Sequence, residues 1–203
     1  MNYTLKLFII FILGILFSKF GIAQERNRFS SGVHAGMNFA QIDGDEIYGF
    51  NRFGFTAGIL GRARIKNNLE LGVEFKYSLR GSHYGKNDPP IINIKLNYLE
   101  VPVLFIVKDW KKEYNDKSFY KMEFLGGFSF GRLISASSSN GIHDDFKKFD
   151  FSWTAGCTYY GTPHWGYFAR YTRAFLPIYR YQKNNQNYSM ISYFLSLGLE
   201  YKF

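Results

Sequence analysis

Residues 193–203 read Tyr193-Phe194-Leu195-Ser196-Leu197-Gly198-Leu199-Glu200-Tyr201-Lys202-Phe203. Every odd position is an aromatic residue or a leucine. The even positions after Phe194 carry Ser, Gly, Glu and Lys. Successive side chains of an extended chain point to opposite faces, so this period of two marks a strand with two unlike sides. A helical face through 193, 196, 197, 200 and 201 would mix Tyr, Ser, Leu, Glu and Tyr, which is no stripe.

The same alternation recurs upstream. In 69–80, Leu69, Leu71, Val73, Phe75, Tyr77 and Leu79 share one face. Glu70, Gly72, Glu74, Lys76, Ser78 and Arg80 share the other. Runs 31–39, 53–65, 96–107, 120–131, 149–160 and 165–175 repeat it, which makes eight strands in all. Most are as long as the roughly 9–11 residues that carry a tilted strand through an outer membrane. Between them, 66–68 and 161–164 are tight turns. Segments 40–52, 81–95, 132–148 and 176–187 are longer and rich in Gly, Asn, Asp and Ser. Short turns on one rim and long loops on the other is the asymmetry of an outer-membrane barrel, whose short turns face the periplasm. Segment 108–118 falls on the short-turn rim yet is too long for a turn. Either a hairpin projects there or the strand count differs.

Alternation alone does not separate a membrane barrel from a soluble one. The contents of the two faces do. The polar face repeats glycine (Gly36, Gly58, Gly127, Gly156, Gly198), which weakens a strand and gains nothing in water, but suits a narrow interior. The apolar face is too bulky for the lumen of an eight-stranded barrel and must point outward, into lipid. Hydrocarbon offers an open sheet edge no hydrogen bonds, so the strands must close into a ring. Tyr120, Trp165, Tyr201 and Phe203 suit an aromatic girdle at the periplasmic rim, and Phe39, Phe53 and Phe149 one at the outer rim.

The composition agrees. Of 203 residues, 20% are aromatic and 20% charged, with 20 Gly, 5 Pro and one Cys. This excludes a disordered chain, a collagen, a disulfide framework and a cysteine-rich zinc site. Residues 1–23 have the form of a signal peptide: Lys6, then an apolar run from Leu7 to Phe17, then Gly21 and Ala23 before a cut ahead of Gln24. The run is shorter than the ~20 residues of a membrane-spanning helix. Residues 24–203 are then the barrel domain, and loss of Lys6 and Lys19 lowers the formal charge from +9 to +7.

By parity, Glu70, Glu74, Glu100, Glu123 and Glu200 point inward with Arg62, Arg64, Lys76, Lys121, Arg170 and Lys202. Buried charges are costly unless paired. A mutually neutralising lumen network over Glu74, Glu100, Glu123, Arg170 and Glu200 follows, with Arg170 bridging Glu74 and Glu100. Its role is structural.

Tyr98-Leu99-Glu100-Val101-Pro102-Val103-Leu104 resembles the "YLEIP" strand of the PorT-like outer-membrane β-barrel proteins of Bacteroidetes. Ala169-Arg170-Tyr171 resembles their "RY" motif, and Ala23-Gln24 and the aromatic terminus Tyr201-Lys202-Phe203 fit the same pattern. The resemblance implies an eight-stranded outer-membrane barrel. One branch of that family is tied to protein secretion and surface-protein maturation. Pro102 removes a ladder donor, and a bulge is expected beside Glu100.

Signs of chemistry are sparse. His34, His83, His143 and His164 show no metal-ligand spacing. His34 reads as a satisfied lumen residue and Cys157 as a lipid-facing one. His143 near Ser135, Ser137, Ser138 and Ser139 keeps a lipid-modifying enzyme as an alternative; the simpler reading of 135–139 is a mobile loop. No catalytic, cofactor-binding or metal-binding residue is assigned. No nucleic-acid module is present. Lys86, Lys147, Lys148, Arg173, Arg180 and Lys183, on or near the long loops, serve either lipopolysaccharide phosphates or loop solubility. The expectation is an all-β, eight-stranded antiparallel up-and-down transmembrane β-barrel in the bacterial outer membrane, non-enzymatic and with a plugged polar lumen. It would be structural or accessory to a surface or secretion process, with membrane lipid and envelope proteins as partners. A narrow channel is the other alternative.

Overall fold

In a computed structural model, residues 28–45, 49–84, 93–114, 117–139, 146–183 and 185–203 are described. The expected signal peptide and His143 lie outside them. Nine strands are present among the described residues: β1 (Phe29–Asp43), β2 (Arg52–Lys66), β3 (Leu69–His83), β4 (Asn93–Tyr114), β5 (Lys117–Ser138), β6 (Phe149–Tyr160), β7 (Trp165–Ala174), β8 (Tyr179–Lys183) and β9 (Gln186–Lys202). Eight of them form a ring in the order β1-β2-β3-β4-β5-β6-β7-β9, closed by the β1–β9 pairing. All neighbours are antiparallel and follow chain order, with only the short β8 intervening between β7 and β9 and the β1–β9 pair closing the ring, so the fold is an up-and-down barrel. Closure leaves the ring without an open edge, as hydrocarbon demands.

The ninth strand was hidden in what reads as the loop 176–187. β8 pairs only with the outer end of β9, from Tyr179 opposite Met190 to Lys183 opposite Gln186. The strands also overrun their expected ends. β5 continues to Ser138, so Ser135, Ser137 and Ser138 belong to a strand and not to a mobile loop. In the described part of 108–118 the two strands project: β4 and β5 stay paired to Tyr114 opposite Lys117, beyond the pairings of β3 and β6.

The side-chain parity holds. Phe55, Ile59, Phe75, Phe105 and Phe128 are exposed on the outer wall, while Glu74, Lys76, Glu100, Arg170 and Glu200 are buried inside. Lys66 pairs with Leu69 across a two-residue turn, and Ile65 is bulged there. No bulge sits at Pro102, which pairs in register with Ser129. Instead the ladder to β3 lapses between Val73–Val103 and Lys76–Glu100 without a change of register, because proline has no amide hydrogen to give. The bulge in this region lies further out, where pairing jumps from Tyr98–Leu133 to Asn97–Ser135.

The seam between β1 and β9 is tight. Gly36 lies opposite Gly198. A Cβ on Gly36 would stand 2.3 Å from the Leu197 carbonyl oxygen, and one on Gly198 2.7 Å from the Phe168 ring. Glycine is required at these two positions by close approach.

Candidate functional site

The interior gathers charge of both signs. Near the periplasmic end, Arg62 Nη1 donates to Glu123 Oε2 at 2.5 Å and Nη2 to Glu200 Oε1 at 2.5 Å. Lys202 also donates to Glu123, and the Tyr160 hydroxyl to Glu200. Lys108 Nζ holds Glu70 at 2.5 Å, and Arg62 lies 3.9 Å from the same carboxylate. One level up, Arg170 donates to both oxygens of Glu74 at 2.8 Å and to Glu200 Oε2 at 2.9 Å. Higher still, Lys76 Nζ lies 3.1 Å from Glu100, and Arg80 lies 3.7 Å from Glu100 and 2.6 Å from Asp150.

These contacts join six cations (Arg62, Lys76, Arg80, Lys108, Arg170, Lys202) to six acids (Glu70, Glu74, Glu100, Glu123, Asp150, Glu200). They fall into two groups, each balanced. The lower holds four of either sign and the upper two. A buried charge without its partner would be strongly unfavourable, so equal numbers are what the medium selects.

The bridge made by Arg170 differs from the sequence expectation. It spans Glu74 and Glu200, not Glu100. Glu100 stands directly opposite Lys76 in the β3–β4 register and is neutralised there. Glu200 lies on β9, the strand next to Arg170 on β7. Two expected members are absent. Arg64 sits at the open rim and is exposed, so it reaches water, while its cross-strand neighbour Glu70 goes to Lys108. Lys121 turns outward and donates to the Tyr159 hydroxyl at 3.2 Å. Three further members join the network. Arg80 stands on the polar face that the alternation of 69–80 already defines, although it is not among the charges expected to pair, and Asp150 stands on the corresponding even face of 149–160. Lys108 lay in a segment assigned to no strand.

His34 is buried but not satisfied by hydrogen bonds. Neither ring nitrogen has a hydrogen-bonding protein group; Nδ1 is 4.0 Å from Glu74 and the ring meets Phe168 edge-on at 5.8 Å. Asn38 links three strands instead: Nδ2 donates to Ser78 Oγ and the Leu79 carbonyl at 3.0 Å each, and Oδ1 accepts from Ser196 at 2.7 Å.

The lumen is less polar than its glycines and charges suggest. Leu104, Ile106 and Leu125 form an apolar cluster inside β4 and β5. At the outer mouth, Ile42, Ile94, Leu96, Tyr98, Phe146, Ile178 and Met190 form a second, with Tyr179 and Tyr181 packed against it. Phe146 and Ile178 come from segments that fold over the opening, tied by Lys147 N donating to the Ile178 carbonyl at 2.9 Å. Arg80 forms the boundary between ionic and apolar layers, its guanidinium 3.8 Å from the centre of the Tyr98 ring and 5.2 Å from that of Phe194. Such cation–π stacking suits a desolvated arginine.

At the rims, Trp165 packs on Tyr201 at 4.9 Å and Tyr201 on Phe203 at 5.7 Å, while Phe39 meets Phe53 at 5.4 Å. Cys157 is half-buried on the outward face. On the outer side, Lys147, Lys148 and Arg180 are exposed, and Arg173 lies 3.4 Å from Asp43. Among the described residues, no group of three or more His, Cys, Asp or Glu is arranged to hold a metal ion.

A closed antiparallel ring of eight strands, greasy outside and ion-paired within, defines a transmembrane β-barrel of the outer-membrane class. The chain belongs to the family described as outer membrane protein beta-barrel domain, whose sequence profile matches residues 22–180. Its location is therefore the bacterial outer membrane. The fold is similar to that of Ail, the attachment invasion locus protein of Yersinia pestis, at 15% identity over 86% of this chain and 98% of that one, with a TM-score of 0.48. It is also similar to Neisserial surface protein A (19% identity, 86% and 97% covered, TM-score 0.45) and to OprG of Pseudomonas aeruginosa (9%, 86% and 95%, TM-score 0.43). No curated protein matches the sequence.

Proposed function

We propose that this protein is a non-enzymatic outer-membrane barrel whose lumen is a structural plug, and that it acts as an accessory to a surface or secretion process through its outer segments. The observation that carries the reading is the balanced interior. Six cations and six acids neutralise one another beneath an apolar layer that includes Phe146 and Ile178. A solute would have to break paired charges and part packed side chains to pass. The six interior carboxylates are each engaged by a cation, which does not suit any of them to act as a general base. The finer affiliation, with the PorT-like proteins of Bacteroidetes, rests on the motifs at 98–104 and 169–171. The exposed Lys147, Lys148 and Arg180 suit lipopolysaccharide phosphates, a contact that salt would weaken. Envelope proteins are the other proposed partners.

Planar-bilayer recording tests the plug. The purified barrel is expected to give almost no steady conductance. Stable ohmic steps in most insertions would replace the plug with a channel.

A further inference from the structure

The outward wall carries bulky side chains along most of its surface, but near the periplasmic end of β2 it does not. Ser31 on β1 stands opposite Gly61 on β2, and Phe29 opposite Ala63. On the other side Gly61 faces Val73, and Ala63 faces Leu71, both on β3. Three small residues thus lie together between Phe29 and the pair Leu71 and Val73. They leave a groove of about 500 Å³ in the wall. Sites for small ligands run to roughly 300–1,000 Å³.

Nothing in the backbone requires glycine at 61. Its φ lies outside the left-handed region, and a Cβ there would meet nothing within 4 Å. Gly36 is different, because its Cβ would strike the Leu197 carbonyl. Glycine inside a strand weakens it and often marks a place where another molecule comes close. The protein itself does not approach Gly61, so the space opens to the membrane.

The rim below the groove is cationic. The bulge at Ile65 brings Lys66 opposite Leu69, and so onto the outward face. Arg64 and Arg28 are neighbours, Arg64 N donating to the Arg28 carbonyl at 2.7 Å. All three side chains are exposed. Residues 61–69 contain no acid, and Glu70, opposite Arg64, is held by Lys108. Glu25 and Arg26, outside the described residues, cancel in charge. Five residues separate Lys66 from Gly61, about 16 Å of strand. That is close to half of a ~30 Å hydrocarbon core.

We propose that this groove binds one anionic phospholipid of the periplasmic leaflet. Its phosphate meets Lys66, Arg64 and Arg28, and one acyl chain lies over Ala63 and Gly61 between Phe29 and Val73. Three unpaired cations favour a headgroup of net negative charge over a zwitterionic one, and salt weakens that preference. The groove adds the apolar contact that a free phosphate lacks.

Native mass spectrometry of the purified full chain in detergent tests this, with phosphatidylglycerol and phosphatidylethanolamine of identical acyl chains supplied in equal amounts. One phosphatidylglycerol per barrel is expected to be retained, at least tenfold over phosphatidylethanolamine. Gly61→Leu fills the groove and should cut retention at least tenfold. Arg64→Glu with Lys66→Glu should remove the preference between the two lipids. Both variants should keep the heat-modifiable gel shift of a folded barrel. Glycerol 3-phosphate, which has the phosphate but no chains, should displace nothing. Four results would overturn the proposal: no retained lipid, equal retention of both lipids, retention unchanged in either variant, or displacement by glycerol 3-phosphate.

Discussion

Arg170 on β7 crosses the lumen to Glu74 on β3, its Nη1 2.8 Å from each carboxylate oxygen. Both are buried, and Arg170 also holds Glu200. Removing the arginine leaves Glu74 without its cation and Glu200 with Arg62 alone, in a medium that solvates carboxylates poorly. Arg170→Ala is expected to destabilise the folded barrel by about 3–5 kcal/mol in urea titration from lipid vesicles. Arg170→Met combined with Glu74→Gln restores the balance of charge in this pair and should recover a large part of that loss. Equal losses in the single and double variants would show that the pair is not coupled.

Gly198 and Gly36 set the distance between the first and last strands. Gly198→Ala puts a methyl group 2.6 Å from the Gly36 Cα and 2.7 Å from the Phe168 ring. Overpacking of this kind costs about 1–3 kcal/mol. The expected result is a lower yield of the compact, heat-modifiable form after refolding. Gly61, whose Cβ would meet nothing within 4 Å, is the control, and Gly61→Ala should refold as the parent does.

Two cations that look alike in sequence should behave differently. Arg80 is fully buried and paired with Asp150, whereas Lys121 stands at the rim beside Tyr159. Arg80→Ala is expected to cost several kcal/mol, and Lys121→Ala about 1 kcal/mol or less. The same urea titration separates them, and a reversed order would contradict the layering of the lumen.

The alternation of Tyr193–Phe203 was enough to give the ring, because period two is set by the backbone and survives any register. It also placed Glu74, Glu123 and Glu200 inside. What it could not give was height along the axis. That depends on the stagger between strands, which turns and bulges set, so the choice of Glu200 over Glu100 as the second partner of Arg170 was illegible. Strand ends failed for a related reason. The continuation of β4 through Lys111 and Lys112 and the whole of β8 lie beyond the lipid, where no apolar face is needed and the alternation fades. Phe194 and Phe168 escaped because an inward aromatic ring reads as an exception until Arg80 or Arg170 is seen stacked on it.

The reading of residues 1–23 as a signal peptide makes a simple demand. Intact-mass and N-terminal sequencing of protein from the outer membrane should find a chain that starts at Gln24. A chain that retains Met1, or starts well inside β1, would refute the expected cut.

Everything rests on the outward face meeting lipid, and the lone cysteine reports on it directly. Cys157 lies on that face, opposite Phe124 on β5 and Ala169 on β7. A nitroxide attached there in a lipid bilayer should collide freely with dissolved oxygen and hardly at all with a water-soluble nickel chelate. Strong nickel collisions with little from oxygen would put Cys157 in water and contradict the barrel's orientation.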